Sequence, residues 1–302
     1  MTMHPGQLAV SNDMVRALVD SQFPRWRDRP VRQVATESTL NAIFRIGDEF
    51  AARFPLQPEE PGKTRRRLAE EAASACELIG RTRFPVPEPV ALGEPGHGYP
   101  LPWSVQTWLT GVTATDQDPS ESNGFAADLA QFIADVRAIE TNGRTFSGLG
   151  RRGRGGDLKD HDEWLETCFR ESEHLLDVPR LRALWARFRV LPREAPDVMN
   201  HGNLTPGNVL VDAGRLAGVL DVGDLGPADP ALDLVSAWNL LEPGPRQVLR
   251  TALGCGDLDW ERGKAWAFEQ AMGLVWYYVG SNPSMSRMGR VAPDRILQAM
   301  TY

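Results

Sequence analysis

The chain has 302 residues, of which 42% are hydrophobic and 24% are charged, and its formal net charge is −7. This length can bury one large core or two smaller ones, and the acidic balance argues against nucleic-acid binding, which depends on basic surface. No run of about 18 apolar residues is present, so we expect no membrane span. The start of the sequence lacks the pattern of a secretory signal. The three cysteines stand far apart without a metal-binding motif, which favours a reducing, cytoplasmic compartment.

The amino-terminal third is predicted to combine strands with one helix. β-type runs fall at residues 31–36, 42–46, 50–54 and 103–109. Gly47 and Asp48 are typical of a tight hairpin turn between the second and third runs. Residues 64–79 are rich in Ala, Glu, Leu and Arg, and this composition favours a helix.

From Gly111 onward the pattern becomes helical. Apolar residues between 125 and 136 recur at the spacing of one helix face. Further helices are predicted at residues 162–176, 180–189, 230–241 and 260–279. Two apolar runs, 209–211 and 216–220, flank Asp212-Ala213-Gly214 and predict a buried hairpin. The Gly- and Arg-rich residues 148–156 are predicted to form a mobile loop. We therefore expect two domains, a β-rich lobe over residues 1–109 that ends in a hinge and a helical lobe over residues 110–302, with a site in the cleft.

One segment carries the residues expected for phosphoryl transfer. It reads His-Gly-Asn-Leu-Thr-Pro-Gly-Asn from His201 to Asn208 and, after the hairpin, Asp-Val-Gly-Asp from Asp221 to Asp224. Kinase-like phosphotransferases place His-x-Asp/Asn-x4-Asn on a loop and Asp-x-Gly after a hairpin. Because charge develops on the transferred group, catalysis depends mainly on positioning and on a metal that neutralises this charge. The amide oxygen of Asn208 and the carboxylate of Asp221 are hard ligands suited to Mg²⁺ on the phosphates of ATP.

The sequence resembles the aminoglycoside phosphotransferase family of protein-kinase-like small-molecule kinases. The resemblance rests on HGNLTPGNVLV and LDVGDLGPADPALDL, where the family typically has HGD-L-x-P-x-N and D-x-G-D…D-P-x-x-D-L, and it covers most of the chain. It implies an α+β, bilobal protein-kinase-like fold, with a small β-rich lobe for the nucleotide and a larger helical lobe for catalysis and the acceptor. It also implies that ATP, with GTP as the alternative, is used together with Mg²⁺.

The resemblance implies a role for each residue of these motifs. His201 would brace the catalytic loop, Asn208 and Asp221 would bind the metal, and Asp224 would face the acceptor. The family's catalytic aspartate is replaced by Asn203. An amide cannot accept the proton of the substrate hydroxyl, although it can hydrogen-bond that hydroxyl and hold it in line. Losing a general base typically lowers the rate by about 10²–10⁴-fold.

Other implied roles lie outside the catalytic loop. Arg53 would replace the family's phosphate-pairing lysine, because arginine still supplies charge and a bidentate fork. Glu71 would be its helix partner, and a solvated helix face is the alternative reading of that residue. Asp229 and Asp233 would tie the loop to the following helix. The hinge that holds adenine would be supplied by Gln106, Thr107 and Trp108. The loop at residues 37–41 has none of the glycines that usually let backbone approach phosphate.

Residues 157–177 hold eight acidic side chains against Lys159 and Arg170. Asp160, Asp162 and Glu166 in this span are predicted to attract a polycationic acceptor such as an aminoglycoside. An ordinary charged helix face is the alternative interpretation.

The favoured function is ATP-dependent O-phosphorylation of a small hydroxylated amine, with an aminoglycoside-like antibiotic as the expected acceptor and with catalysis impaired by Asn203. A non-catalytic nucleotide- or ligand-binding pseudokinase is the alternative, because Asn203 and the glycine-free loop also fit it. A protein-directed kinase is disfavoured, since too few residues separate Asp221 from Asp229 for an activation loop. The expected partner is a small molecule rather than nucleic acid or a membrane, and the protein is expected to be a monomer or a homodimer.

Overall fold

The structure is a computed structural model that describes residues 6–34, 40–148 and 153–300. The chain divides into two compact units. The amino-terminal unit consists of Met1–Ile79, Pro85–Thr110 and Leu220–Gly223, and the carboxy-terminal unit consists of the remaining residues. The sequence pattern placed one boundary after residue 109. It contained no sign of the short segments 80–84 and 220–223, because their assignment depends on packing between residues distant in sequence.

The amino-terminal unit is built on an antiparallel sheet. Its strands are β1 (Val31–Val34), β2 (Asn41–Ile46), β3 (Phe50–Pro55), β4 (Pro89–Gly93) and β5 (Trp103–Thr107), in the order β1-β2-β3-β5-β4. The predicted hairpin is confirmed, since Phe44 lies opposite Ala52 and the turn residue Gly47 has φ +59°. Residues 35–39, which include most of the glycine-free loop, lie outside the described residues.

The described part of this unit also contains two α-helices, α1 (Asn12–Gln22) and α2 (Pro61–Leu78). The sequence analysis did not predict α1, although Ser11 caps it by accepting a hydrogen bond from the Met14 amide. The core of the unit includes the buried α1 residues Val15 and Leu18 together with the sheet aromatics. The rings of Phe54 and Trp103 stack with their centroids 4.7 Å apart. This packing holds β3, which carries Arg53, in the centre of the sheet.

The carboxy-terminal unit is mainly helical. Its helices within the described residues are α3 (Asn123–Arg137), α4 (Asp162–Glu171), α5 (Val178–Phe188), α6 (Val235–Leu240), α7 (Pro243–Ala252), α8 (Asp257–Tyr277) and α9 (Pro283–Ala299). Its strands within the same residues are β6 (Val112–Thr113), β7 (Val198–Asn200), β8 (Val209–Asp212), β9 (Arg215–Val219) and β10 (Gly226–Ala228). They form the sheet β6-β8-β9 and the pair β10-β7. The predicted α+β class, with an antiparallel amino-terminal sheet and a helical carboxy-terminal part, is confirmed.

The predicted hairpin at residues 209–220 is confirmed as β8 and β9. Its turn residues Ala213 and Gly214 have φ +47° and +73°, as tight hairpins with two left-handed residues require. The hydroxyl of Ser122 donates to the Gly214 carbonyl at 2.7 Å and accepts from the Phe125 amide at 3.1 Å. One side chain therefore caps α3 and joins it to the hairpin.

The helix predicted at residues 230–241 begins later than expected. A 3₁₀ turn occupies Leu232–Leu234, and α6 starts only at Val235. The predicted helix 162–176 ends early, at Glu171. The predicted loop at residues 148–156 lies partly outside the described residues. Among the helices that are described, none is both long and apolar enough to cross a membrane.

Candidate active site

Arg53 on β3 lies between two carboxylates of the amino-terminal unit. Its guanidinium contacts the Glu71 carboxylate on α2 at 3.1 Å and the Asp221 carboxylate at 3.4 Å. The Arg53 side chain is only 15% exposed, so these contacts are partly shielded from solvent. The ion pair between Arg53 and Glu71 that the resemblance implied is present. Glu71 also accepts from Arg67 at 2.7 Å, which fixes the carboxylate from a second side.

The backbone at Asp221 is unusual. This residue has φ +59°, a left-handed conformation that few residues other than glycine adopt, although aspartate does so more readily than most. Two residues later, a Cβ on Gly223 would lie 2.7 Å from Cγ of Glu71. Only glycine allows this approach, so the Asp-x-Gly segment is fitted closely against the side chain that pairs with Arg53. Such a conformation persists where the surrounding structure holds it in place.

The loop from His201 to Asn208 is fixed by a buried carboxylate. The backbone amides of His201 and Gly202 each donate to an oxygen of Asp233 at 2.8 Å, and both His201 and Asp233 are fully buried. The backbone amide of Asn203 donates to Nδ1 of His201 at 3.2 Å. Nδ1 is therefore the acceptor nitrogen of this imidazole. Asp233 therefore holds the backbone of this loop, and the role implied for His201 stays a prediction.

The two asparagines of the loop contact one another. The side-chain NH₂ group of Asn208 donates to the backbone carbonyl of Asn203 at 3.0 Å. This hydrogen bond uses the NH₂ group of Asn208 and not its amide oxygen. Oδ1 of Asn203 accepts a hydrogen bond at 3.1 Å from Nε2 of Gln270 on α8. The sequence analysis did not identify Gln270.

Asp229 is held by α8 rather than by the helix that follows it in sequence. Its Oδ2 accepts from Arg262 at 2.6 and 2.8 Å and from the Trp266 indole at 2.8 Å. Asp229 and Arg262 are each only 2% exposed. The structural role implied for Asp229 is therefore present, but its main partner differs from the expected one. Charged residues inside the largely apolar run 260–277 were the sequence signal for this contact.

The acidic span on and before α4 is partly neutralised. Asp162 is paired with Arg189, and Glu166 is paired with Arg182. Hydrogen bonds from these arginines lower the pKa of both carboxyl groups, so both stay ionised but compensated. Asp160 is exposed in the adjoining 3₁₀ turn. The negative field of this surface is weaker than the eight acids suggested, and contact with an acceptor stays a prediction.

The residues predicted to hold adenine belong to the end of β5 and the segment after it. The Thr107 amide donates to the Glu88 carbonyl at 2.9 Å, and the Trp108 amide donates to the Glu49 carbonyl at 2.7 Å. Gln106 lies opposite Ala51 in the sheet. Because both amides already donate within this unit, adenine contacts at these positions would involve other groups of the strand.

The metal site also stays a prediction. Within the described residues no group of three or more His, Cys, Asp or Glu side chains is arranged to hold a metal. A site that uses Asn208 with Asp221 differs from such a group, because it takes one amide ligand and one carboxylate and leaves other positions to phosphate oxygens and water. Asp224, predicted to face the acceptor, is half-buried in the 3₁₀ turn Val222–Asp224.

Comparison with known proteins agrees with these features. The family described as the phosphotransferase enzyme family matches residues 30–266. An aminoglycoside 3'-phosphotransferase from Streptomyces fradiae is 30% identical over 199 residues, which cover 62% of this chain and 69% of that protein. An aminoglycoside 3'-phosphotransferase from Escherichia coli is 36% identical over 174 residues, which cover 52% of this chain and 60% of that protein.

Solved structures show the same fold at low identity. The GDP complex of wild-type aminoglycoside 2'-phosphotransferase-IIIa has a TM-score of 0.72 and 16% identity, covering 96% of this chain and 100% of that one. Macrolide 2'-phosphotransferase from Brachybacterium faecium has a TM-score of 0.62 and 18% identity, covering 91% and 97%. The resemblance predicted from the loop motifs is thus confirmed, and this chain belongs to the phosphotransferase enzyme family.

Proposed function

We propose that the protein transfers the terminal phosphoryl group of ATP to a hydroxyl group of a small hydroxylated amine, with an aminoglycoside-like antibiotic as the acceptor. The observation that carries the proposal is the fixed loop, in which Asp233 holds the backbone of His201 and Gly202. By the resemblance, Asn203 and Asn208 on this loop would take the places of the family's catalytic and metal-binding residues, which supports the proposal. The related proteins reported above are named as phosphotransferases, which supports phosphoryl transfer as the class of reaction.

Each side chain has a proposed task. Arg53 would bind the phosphates, since its guanidinium is held by Glu71 on one side and offers further donors on the same fork. Asn208 and Asp221 would hold Mg²⁺, which when bound neutralises charge on the phosphates. Asn203 would hold the attacking hydroxyl in line without taking its proton, which would pass to solvent water as the new P–O bond forms and ADP leaves. The adenine would lie beside residues 106–108.

The acceptor is proposed to use its amines at the acidic residues. Asp160 and Asp224 are the simplest candidates. Asp162 and Glu166 are already paired with Arg189 and Arg182, so an amine that contacts them has to compete with those arginines. A polycationic acceptor therefore gains less from this surface than the acidic composition of the span indicates.

The decisive experiment restores the carboxylate. Asn203→Asp is compared with the unsubstituted chain and with Asn203→Ala, using Mg·ATP and a panel of aminoglycosides and macrolides, with product mass as the readout. We expect kcat to rise about 10²–10⁴-fold in Asn203→Asp, which corresponds to about 3–5 kcal/mol in the barrier, with KM for ATP little changed. Absence of a phosphorylated product from Asn203→Asp with every acceptor would refute the proposal.

The second candidate is a protein that binds nucleotide and ligand without turnover. It is favoured by one observation, namely that the side chain at position 203 is an amide, which cannot take up the proton of a hydroxyl group. Thermal-shift titration with Mg·ATP and with the acceptors distinguishes the two functions. Saturable binding of both ligands, together with no product from either the unsubstituted chain or Asn203→Asp, would establish the binding function.

A further inference from the structure

Gln270 on α8 lies in hydrogen-bond contact with the side chain of Asn203. Its Nε2 donates to Oδ1 of Asn203 at 3.1 Å, although 67 positions separate the two residues. The oxygen of the same amide, Oε1, is buried and has no hydrogen-bond partner among the described residues. A buried polar atom without a partner is destabilising. Leucine would fill a similar volume without that cost, so the contact with position 203 is a reason to have glutamine here.

The helix that carries Gln270 is held firmly on both sides of it. The preceding residue, Glu269, is buried and contacts Nδ1 of His161 at 2.9 Å. One turn further on, a Cβ on Gly273 would lie 2.6 Å from the Trp164 ring, so α8 is packed there without spare room. The donor at position 270 is therefore presented from a fixed backbone, as a group that orients another side chain must be.

We infer that Gln270 is a positioning residue for the side chain at position 203, which it holds by donating to the side-chain oxygen. The inference rests on the proposed function, because it assigns Gln270 to the same reaction. In the present chain, Gln270 holds the oxygen of Asn203. An amide at this position cannot remove a proton from a hydroxyl group.

A neutral amide is the appropriate donor for a general base. An ionised carboxylate can accept at several lone-pair positions, so a carboxylate at position 203 can accept from Gln270 and still receive the substrate hydroxyl. A hydrogen bond to the charged form lowers the pKa of a carboxyl group. A lysine or arginine at position 270 would lower it further and weaken the base, whereas glutamine orients the carboxylate at smaller cost to its basicity.

The first test measures catalysis in the Asn203→Asp background. Gln270→Leu removes the donor, and Gln270→Glu replaces it with a like charge. The matched control is Gln131→Leu, because Gln131 on α3 is exposed and donates to Asp135 in the same manner. We expect Gln270→Leu to lower kcat about tenfold with KM within about twofold, which is about 1.4 kcal/mol in the barrier. The control should leave both parameters unchanged.

The comparison of kcat with stability separates positioning from a purely structural role. Gln270→Leu and Gln270→Met both remove the donor at similar volume, so both should lower kcat to the same extent while the urea midpoint stays near that of the control. A role confined to folding would lower the active fraction and the midpoint together. An unchanged kcat per folded enzyme in both variants overturns the inference.

A second measurement does not need activity. In protein with labelled glutamine, the side-chain amide resonance of Gln270 should shift at one fixed pH when Asn203→Ala removes the acceptor and when Asn203→Asp replaces it with a carboxylate. If Asn203→Asp gives no product but these shifts are seen, the proposed function fails and the placement of Gln270 is supported. If the resonance is the same in the unsubstituted chain and in both variants, the inference is refuted even where the enzyme is active.

Discussion

Replacing Arg262 by methionine is predicted to destabilise the carboxy-terminal unit strongly. The Arg262 guanidinium donates to Asp229 through Nε and Nη2 at 2.8 and 2.6 Å. Its Nη1 also donates to the carbonyls of Leu191 and Pro192 at 2.9 and 3.1 Å. Since both charged side chains are only 2% exposed, water cannot replace these bonds without opening the core. Methionine keeps most of the volume and removes all of the donors.

The magnitude follows from the partners left behind. After Arg262→Met, the Asp229 carboxylate stays buried with two neutral donors, the Trp266 indole at 2.8 Å and the Ala231 amide at 3.0 Å. Breaking a buried ion pair by removing one partner typically costs about 3–5 kcal/mol. Because domains are stable by only about 5–15 kcal/mol, this loss would remove a large share of the stability of the unit.

The assay is urea denaturation of the full chain followed by tryptophan fluorescence. The control is Arg182→Met, which breaks the ion pair between Arg182 and Glu166. The side chain of Arg182 is 40% exposed and that of Glu166 is 57% exposed. Exposed pairs contribute about 0–1 kcal/mol, so the control should shift the midpoint little. Adding Asp229→Leu to Arg262→Met should cost less than the sum of the two single changes, because contacting residues are coupled. A cost of Arg262→Met no larger than that of Arg182→Met would refute the reasoning.

Two further predictions concern a buried histidine and a glycine of the Asp-x-Gly segment. Burial acts to lower the pKa of His161, but the hydrogen bond and charge of Glu269 outweigh it, so the pKa is raised above 6.5. The stabilisation from this pair is therefore fully present below pH 6.5 and is lost as the pH rises through the folded-state pKa. The difference in urea midpoint between the unsubstituted chain and His161→Gln should shrink from acidic to alkaline pH. A difference that stays constant with pH would contradict the linkage. Gly223→Ala should displace Glu71, because the added methyl group would lie 2.7 Å from Cγ of that side chain, and so disturb the ion pair with Arg53. We expect weaker Mg·ATP binding by calorimetry, whereas Gly244→Ala, which meets nothing within 4 Å, should bind as the unsubstituted chain does.

Local patterns predicted those parts of the fold whose signals lie within a few residues. The hairpins at Gly47 and Gly214 were predicted because left-handed turn residues separate short apolar runs. The helices α7 and α9 were not predicted. Helix α9 contains Pro293 in its interior, which local rules associate with a helix end. It passes so close to α8 that a Cβ on Gly289 would lie 2.9 Å from the Ala271 carbonyl, and no pattern within α9 encodes that contact.

The candidate site shows the same division. The loop motif identified His201, Asn203 and Asn208 because the spacing of chemical groups is written in consecutive residues. The positive φ of Asp221 and the contact from Gln270 were not predicted. Both depend on elements that meet only in the folded chain. For Gln270, the available sequence signal was a polar residue next to Glu269 in a largely apolar helix.

The hydrogen bonds described for Asn203 are compatible with aspartate at the same position. Three contacts of this residue bear on the question. Its backbone amide donates to His201, its carbonyl accepts from Asn208, and its side-chain oxygen accepts from Gln270. An aspartate would keep all three, because the first two involve backbone atoms and a carboxylate oxygen accepts at least as well as an amide oxygen. The loop is thus built around an acceptor at position 203. The amide lacks the capacity to take up a proton, so under the proposed function the replacement would act on the reaction.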